Sequence, residues 1–181
     1  IVSSEPSCSC ANWGALWHDI GKNTPPCCVR QTTHALHQLS VFFKKHQIKY
    51  SLAGGSLLGA VRCNRMIAWD YDGDLEVYAV SQTHLVTLLH KFKSTYNGPR
   101  ITGLPVTLGQ VSTGDVHIDV NIELIAPELV SCTLHPYTFF CRSDSSSYLV
   151  HRYGSDWRTP RRWCNWSTKK LCNNIRDHVC R

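Results

Sequence analysis

Asp70, Asp72, Asp74 and Glu76 place four of the chain's thirteen acidic side chains within seven residues. Like charges at that density repel one another, so a folded chain must hold them together with a cation or a set of donors. The spacing also constrains the backbone. Alternate side chains of an extended chain share a face, which puts Asp72, Asp74 and Glu76 on one side and Leu75, Val77 and Ala79 on the other. A strand is therefore expected from Asp72 to Val80. Two carboxylates on one face offer oxygen ligands to a hard cation, and Mg²⁺ favours a few carboxylates together with substrate phosphates. An EF-hand type of Ca²⁺ loop does not fit, because its spacing and its closing glutamate are absent.

The neighbouring segments support this reading. Tyr50 to Ala53 reads as a short strand, broken by Gly54-Gly55, after which a short helix is expected through about Arg62 with Ser56 as its cap. Glycines let a backbone approach a ligand closely, and a helix start offers unpaired N–H groups to phosphate. Farther on, Val116, Ile118, Val120, Ile122 and Leu124 alternate with His117, Asp119, Asn121 and Glu123. That is a half-buried strand with a polar face, from which Asp119 could supply a third carboxylate. Two metal ions about 4 Å apart on such acids would clamp the attacking and leaving oxygens of an in-line phosphoryl displacement.

Helices are expected from about Arg30 to Ile48, on Ala35, Leu36, Leu39, Phe42 and Phe43, and after Ser81, on Leu85, Leu88, Leu89 and Phe92. Asn97-Gly98-Pro99 is a turn, residues 131–147 a loop or hairpin that Cys132 and Cys141 could close, and Tyr148 to Tyr153 a short helix. This mixture predicts an α/β or α+β fold in one domain over residues 1–181, with a Cys-rich irregular segment at 1–28 and a basic Cys-containing tail at 155–181. No run of apolar residues is long enough to span a membrane, and no membrane contact is expected. The only methionine is Met66 and no signal-peptide pattern opens the chain, so it is expected to begin at a processed or engineered end.

The net charge of +6 is uneven: cations and acids balance at ten each through residue 141, and residues 142–181 carry nine cations against three acids. Such a surface suits an anionic substrate such as a phosphate. Arg161, Arg162, Trp163, Trp166, Lys169 and Lys170 mix cations with aromatics, but the cluster is too short to argue for nucleic acid. Ten cysteines point to an oxidising compartment, and Asn165-Trp166-Ser167 is an acceptor triplet for N-glycosylation. The ten histidines form no metal-binding pair and read as structural or surface residues.

The run Gly54-Gly55-Ser56-Leu57-Leu58-Gly59-Ala60-Val61-Arg62, continued by Ile67-Ala68-Trp69-Asp70-Tyr71-Asp72-Gly73-Asp74-Leu75, resembles the signature of the LicD/fukutin family. Its usual form is G-[GT]-x-L-L-G-A-x-R, a short gap, then P-W-D-x-D-x-D. Tyr148-Leu149, Arg152-Tyr153-Gly154, Asp156-Trp157 and Thr159-Pro160 are similar to that family's C-terminal motif, so the resemblance covers about residues 27–160. It implies a nucleotidyltransferase-like mixed sheet flanked by helices. It further implies transfer of a phosphate-bearing group, of ribitol phosphate or phosphocholine type, from a CDP-linked donor to a glycan or glycoprotein acceptor in the Golgi lumen or outside the cell.

Residue by residue, the resemblance makes Asp70, Asp72 and Asp74 the catalytic acids, with Asp72 and Asp74 as ligands of Mg²⁺ or Mn²⁺. Gly54, Gly55, Ser56, Arg62 and Trp69 stand at donor-binding positions, Asp119 (or Asp115) matches a later-strand acid, and Thr159 and Arg161 would reach donor phosphates. Ala68 stands where the family usually has proline, and Gly73 where it has a β-branched residue, which would loosen the strand between two ligands. One branch of the family has a zinc site built from N-terminal cysteines, which Cys8, Cys10, Cys27 and Cys28 would match, the alternative being disulfides. The other six cysteines, Cys63, Cys132, Cys141, Cys164, Cys172 and Cys180, allow about 15 pairings. The rival to a transferase is a secreted, non-enzymatic module of the same fold that binds an anionic glycan or protein through its basic tail.

Overall fold

A computed structural model describes residues 10, 23–95, 108–113, 116–159, 163–165 and 170–171. The order is α1 (Pro26–Lys45), β1 (Tyr50–Leu52), α2 (Gly54–Cys63), β2 (Asp72–Tyr78), α3 (Gln82–Thr95), β3 (Leu108–Thr113), β4 (Val116–Glu123), β5 (Leu129–Leu134), β6 (Tyr137–Arg142), α4 (Ser145–Tyr153), β7 (Trp163–Asn165) and β8 (Lys170–Leu171). The main sheet runs β1-β2-β4-β3. Its central pair β2 and β4 is parallel, and β1 and β3 flank that pair antiparallel. The fold is α+β with a mixed sheet, as expected.

The core forms where the apolar periodicities meet. Leu36, Leu39 and Phe43 of α1 are fully buried, as are Leu75 and Val77 of β2 and Ile118 and Val120 of β4. Each such side chain contributes about 1.5–3 kcal/mol by leaving water. Phe42 meets Phe92 edge-on at 5.3 Å, which fastens α1 to α3. Helix α3 buries Leu85, Leu88, Leu89 and Phe92, and Ser81 Oγ accepts the His84 N–H at 3.3 Å, so the cap and the apolar face read from the sequence both hold.

Two local expectations are corrected, and a third is extended. Helix α1 begins at Pro26 rather than near Arg30, because proline presets the first helical turn and has no N–H to leave unpaired. Ser56 does not cap α2: Ala53 holds the capping position with no side-chain bond, and Ser56 lies inside the first turn, where its Oγ accepts the Asp74 N–H at 3.0 Å. Gly73 has a packing role beside the loosening expected of it. A Cβ there would lie 2.8 Å from Leu36 side-chain carbons, so the missing side chain lets α1 lie flush on the strand between the two acids.

Strands β5 and β6 form the hairpin, and the Cys132–Cys141 disulfide closes it. A second disulfide joins Cys10 to Cys28, and Cys27 and Cys63 are also disulfide-bonded. This corrects the zinc expectation for Cys10, Cys27 and Cys28, since a disulfide sulfur has no thiolate to offer a metal. Cys8, Asp115, Arg161 and the turn at 97–99 lie outside the described residues. No helix among the described residues is long and apolar enough to cross a membrane.

Candidate metal centre

The acid-bearing face of β2 lies against the start of α2. Asp70 ends a turn in which its N–H reaches the Ile67 carbonyl at 3.0 Å, and Asp72 and Asp74 follow on the strand. Each of the three offers one carboxylate oxygen, and these atoms lie within 4.8 Å of one another. The parallel register sets His117 beside Asp72 and Asp119 beside Asp74, so the polar faces of both strands tile one surface. Asp119 stands apart from the convergent trio: its Oδ1 is paired with His117 Nε2 at 2.9 Å. That contact raises the His117 pKa. His117 thus departs from the expectation that every histidine is structural or surface, and its place two residues before Asp119 on an alternating strand is the signal that could have found it.

The glycine pair serves the acids directly. The Gly55 N–H donates to Asp74 Oδ2 at 2.8 Å, and the Ser56 N–H approaches the same oxygen at 3.4 Å. The positive end of α2 therefore already faces an anion, the protein's own Asp74. Gly54 sits at φ +45°, and a Cβ there would come within 2.6 Å of the Asp74 carboxyl. A Cβ on Gly55 would overlap Asp70 Oδ2. The expectation that these N–H groups stand open to a donor phosphate is corrected accordingly.

Arg62 is likewise committed elsewhere. Its guanidinium donates to the carbonyls of Trp157 and of Thr159, the latter at 3.1 Å, which ties the last turn of α2 to the segment after α4. Trp157 is buried there, and Thr159 is exposed. Trp69 is half-buried and packs against the core.

Burial sets the electrostatics. It is the main cause of a strongly raised Asp70 pKa, with the Asp72 and Asp74 charges adding to it. Burial raises Asp72 as well, and burial followed by the Asp72 charge pushes Asp74 up to about 7. Tyr71, beside them, is pushed up to about 12, again by burial first. Asp70 Oδ2 is buried without a hydrogen-bond partner. Three converging carboxylates, one with an orphaned oxygen, fit a hard divalent cation that would supply the missing positive charge. Glu76 differs: it is buried, and the hydroxyls of Tyr78 and Tyr148 donate to it at 2.9 and 2.8 Å. No spacing in the sequence links Glu76 to Tyr148.

Strand, glycine turn, helix and acid-bearing strand thus follow one another between Tyr50 and Tyr78. Residues 47–125 match the family model described as LicD/FKTN/FKRP, nucleotidyltransferase domain. The match covers β1, α2, β2 and β4, and with them every acid of the site, so the resemblance carried by the motifs is shown for this segment. Among curated proteins, ribitol 5-phosphate transferase FKRP of Mus musculus is 43% identical over 58 residues, which is 32% of this chain and 12% of the relative. The Homo sapiens protein of the same name is 44% identical over 55 residues, 30% of this chain and 11% of the relative. The matched stretch is thus a small part of those relatives' length.

Proposed function

We propose that the chain is a metal-dependent transferase that moves a phosphate-bearing group, of ribitol phosphate or phosphocholine type, from a CDP-linked donor to a glycan hydroxyl. The observation that carries this reading is the convergence of the Asp70, Asp72 and Asp74 oxygens within 4.8 Å beside the N-terminus of α2. The FKRP relatives are named for ribitol 5-phosphate transfer, which supports the kind of group moved, and the motif resemblance suggests the CDP-linked donor and the glycan acceptor. Asp72 and Asp74 would hold Mg²⁺ or Mn²⁺, which when bound neutralises the donor diphosphate. The chain's own residues do the rest. Gly55 N–H fixes the Asp74 carboxylate. Asp70 and Asp119 are the candidate bases that take the acceptor proton. The acceptor oxygen bonds to the phosphorus that carries the transferred group, the P–O–P bond breaks, and CMP leaves.

The same reading treats residues 1–181 as one catalytic domain working in the secretory lumen, with Thr159, Arg161 and the basic tail turned to the donor phosphates and Asn165 as a glycosylation acceptor. The disulfides fit that setting. Calorimetry with CDP-ribitol and CDP-choline, with and without Mg²⁺, tests the proposal: binding should require Mg²⁺ and disappear in Asp72→Asn. Donor binding indifferent to metal, or absent, would favour the non-catalytic glycan-binding module instead.

A further inference from the structure

His117 is a polar side chain on the acid face to which the proposed transfer gives no task. The parallel register pairs His117 with Asp72 and Asp119 with Asp74, so in the pleated sheet the imidazole and its carboxylate partner share a face with the two acids. His117 Nε2 lies 2.9 Å from Asp119 Oδ1, and 33% of the histidine side chain and 27% of the aspartate side chain are open to solvent. A carboxylate only accepts, so Nε2 carries the hydrogen of this contact and the neutral ring keeps a lone pair on Nδ1. Among the described residues this is the one hydrogen bond of the ring. An imidazole held at one nitrogen by a carboxylate, with the other nitrogen bare, is equipped to take a proton from an incoming hydroxyl.

The carboxylates that could take the same proton are less free. Asp70 Oδ2 is buried, and it lies so close to α2 that a Cβ on Gly55 would overlap it. Asp70 also converges with Asp72 and Asp74 within 4.8 Å, where a cation would occupy its oxygens. Asp119 already spends Oδ1 on His117. An acceptor arriving from solvent meets the half-open His117 ring beside Asp72. We infer that His117 is a further catalytic residue of the proposed transfer, the base on the acceptor side, and that Asp119 is the positioning residue that holds its ring. The acceptor O–H bond breaks and its proton passes to Nδ1 as the oxygen bonds to phosphorus. The P–O–P bond breaks, its electron pair leaves with CMP, and the imidazolium beside Asp119 returns its proton to water. The inference rests on the transferase reading.

Two measurements on the whole chain test it side by side: calorimetry of CDP-ribitol binding in Mg²⁺, and CMP release from CDP-ribitol with water alone and with O-glycans released from mucin as acceptors. His117→Gln keeps an amide that can donate to Asp119 but cannot take a proton. The expected result is CMP release at least about a hundredfold slower in His117→Gln, with donor binding and its Mg²⁺ requirement unchanged. Asp119→Asn should slow release as well, by about tenfold or more, because the ring loses the acceptor that fixes its tautomer. Release by His117→Gln at the parent's rate overturns the base while leaving the transferase standing. Loss of donor binding or of its Mg²⁺ dependence in His117→Gln makes the ring a prop or a ligand and also overturns it. No CMP release by the parent under either condition overturns the transferase reading and the base together. If His117→Gln does not fold, ¹⁵N NMR of the neutral ring in the parent decides: hydrogen on Nε2 with Nδ1 bare supports the assignment, and hydrogen on Nδ1 refutes it.

Discussion

Replacing Asp74 with asparagine should make the metal-free chain more stable while abolishing the proposed transfer activity. Asp74 ionises near pH 7 in the folded chain against an ordinary value of 3.8. That gap corresponds to about 4 kcal/mol of destabilisation once the group is fully ionised, taken as an upper bound because neighbouring carboxylates share it. The sign follows from the direction. A carboxyl whose folded pKa is raised favours the fold at pH values below about 4, and that contribution is lost as the pH rises through about 7. Asparagine cannot ionise, and its amide oxygen can still accept the Gly55 N–H, so it should recover about half of the penalty, on the order of 2 kcal/mol. For a chain of this length that is roughly 4–8 °C in Tm at pH 8.

The assay is thermal unfolding in EDTA at intervals from pH 4 to pH 8. The parent should lose stability across that range, and Asp74→Asn should show a flatter profile that crosses above it. Added Mg²⁺ should raise the parent's Tm above pH 7 and leave the variant unmoved. An Asp74→Asn protein that is less stable than the parent at pH 8 in EDTA, or parallel profiles for the two, would refute the reasoning.

Other substitutions probe the surrounding frame. Gly55→Ala should push the Asp70 carboxylate aside, because the added methyl overlaps its Oδ2; transferase turnover should fall about a hundredfold with a stability loss of about 1–3 kcal/mol, read by kinetics and thermal unfolding. Gly59→Ala should instead act on folding, since its methyl overlaps the Arg65 carbonyl oxygen and lies 3.2 Å from Ile67 N, where no flexible side chain can yield; a loss of at least about 2 kcal/mol in urea unfolding is expected. Replacing Cys132 and Cys141 together with alanine opens a staple spanning nine residues and should cost about 2–3 kcal/mol by the same measurement, with Mn²⁺ affinity of the folded chain unchanged.

The acid face was legible because strand periodicity is rigid: alternation in Asp72–Asp74 and in His117–Asp119 dictates which side chains share a surface, and the structure lays those two stretches side by side. The α3 cap and core face were legible for the same kind of reason. Less could be read where a group's role is set by a partner distant in sequence. Arg62 has the chemistry of a phosphate ligand, but its partners are carbonyls 95 and 97 residues away. The Gly54-Gly55 turn has the chemistry of a phosphate cradle, but the anion it meets arrives from β2. Glu76 counted as one more acid of the cluster, although burial, Tyr78 on its own strand and two donors from β6 and α4 remove it from that group. Cys10 and Cys28 matched a tetrad only through the family resemblance, and the folded path brings their sulfurs together as a pair.

The parallel pairing of β2 with β4 has one more consequence. Along each strand the ligand face and the core face alternate residue by residue, so a slip of one position would turn Asp74 inward and Leu75 outward at once. The chain cannot lose its register and keep its acidic face together, nor rebuild one surface while leaving the other alone. Cation capture through Asp72 and Asp74 would therefore report that β2 presents its acidic face outward and its apolar face to the core.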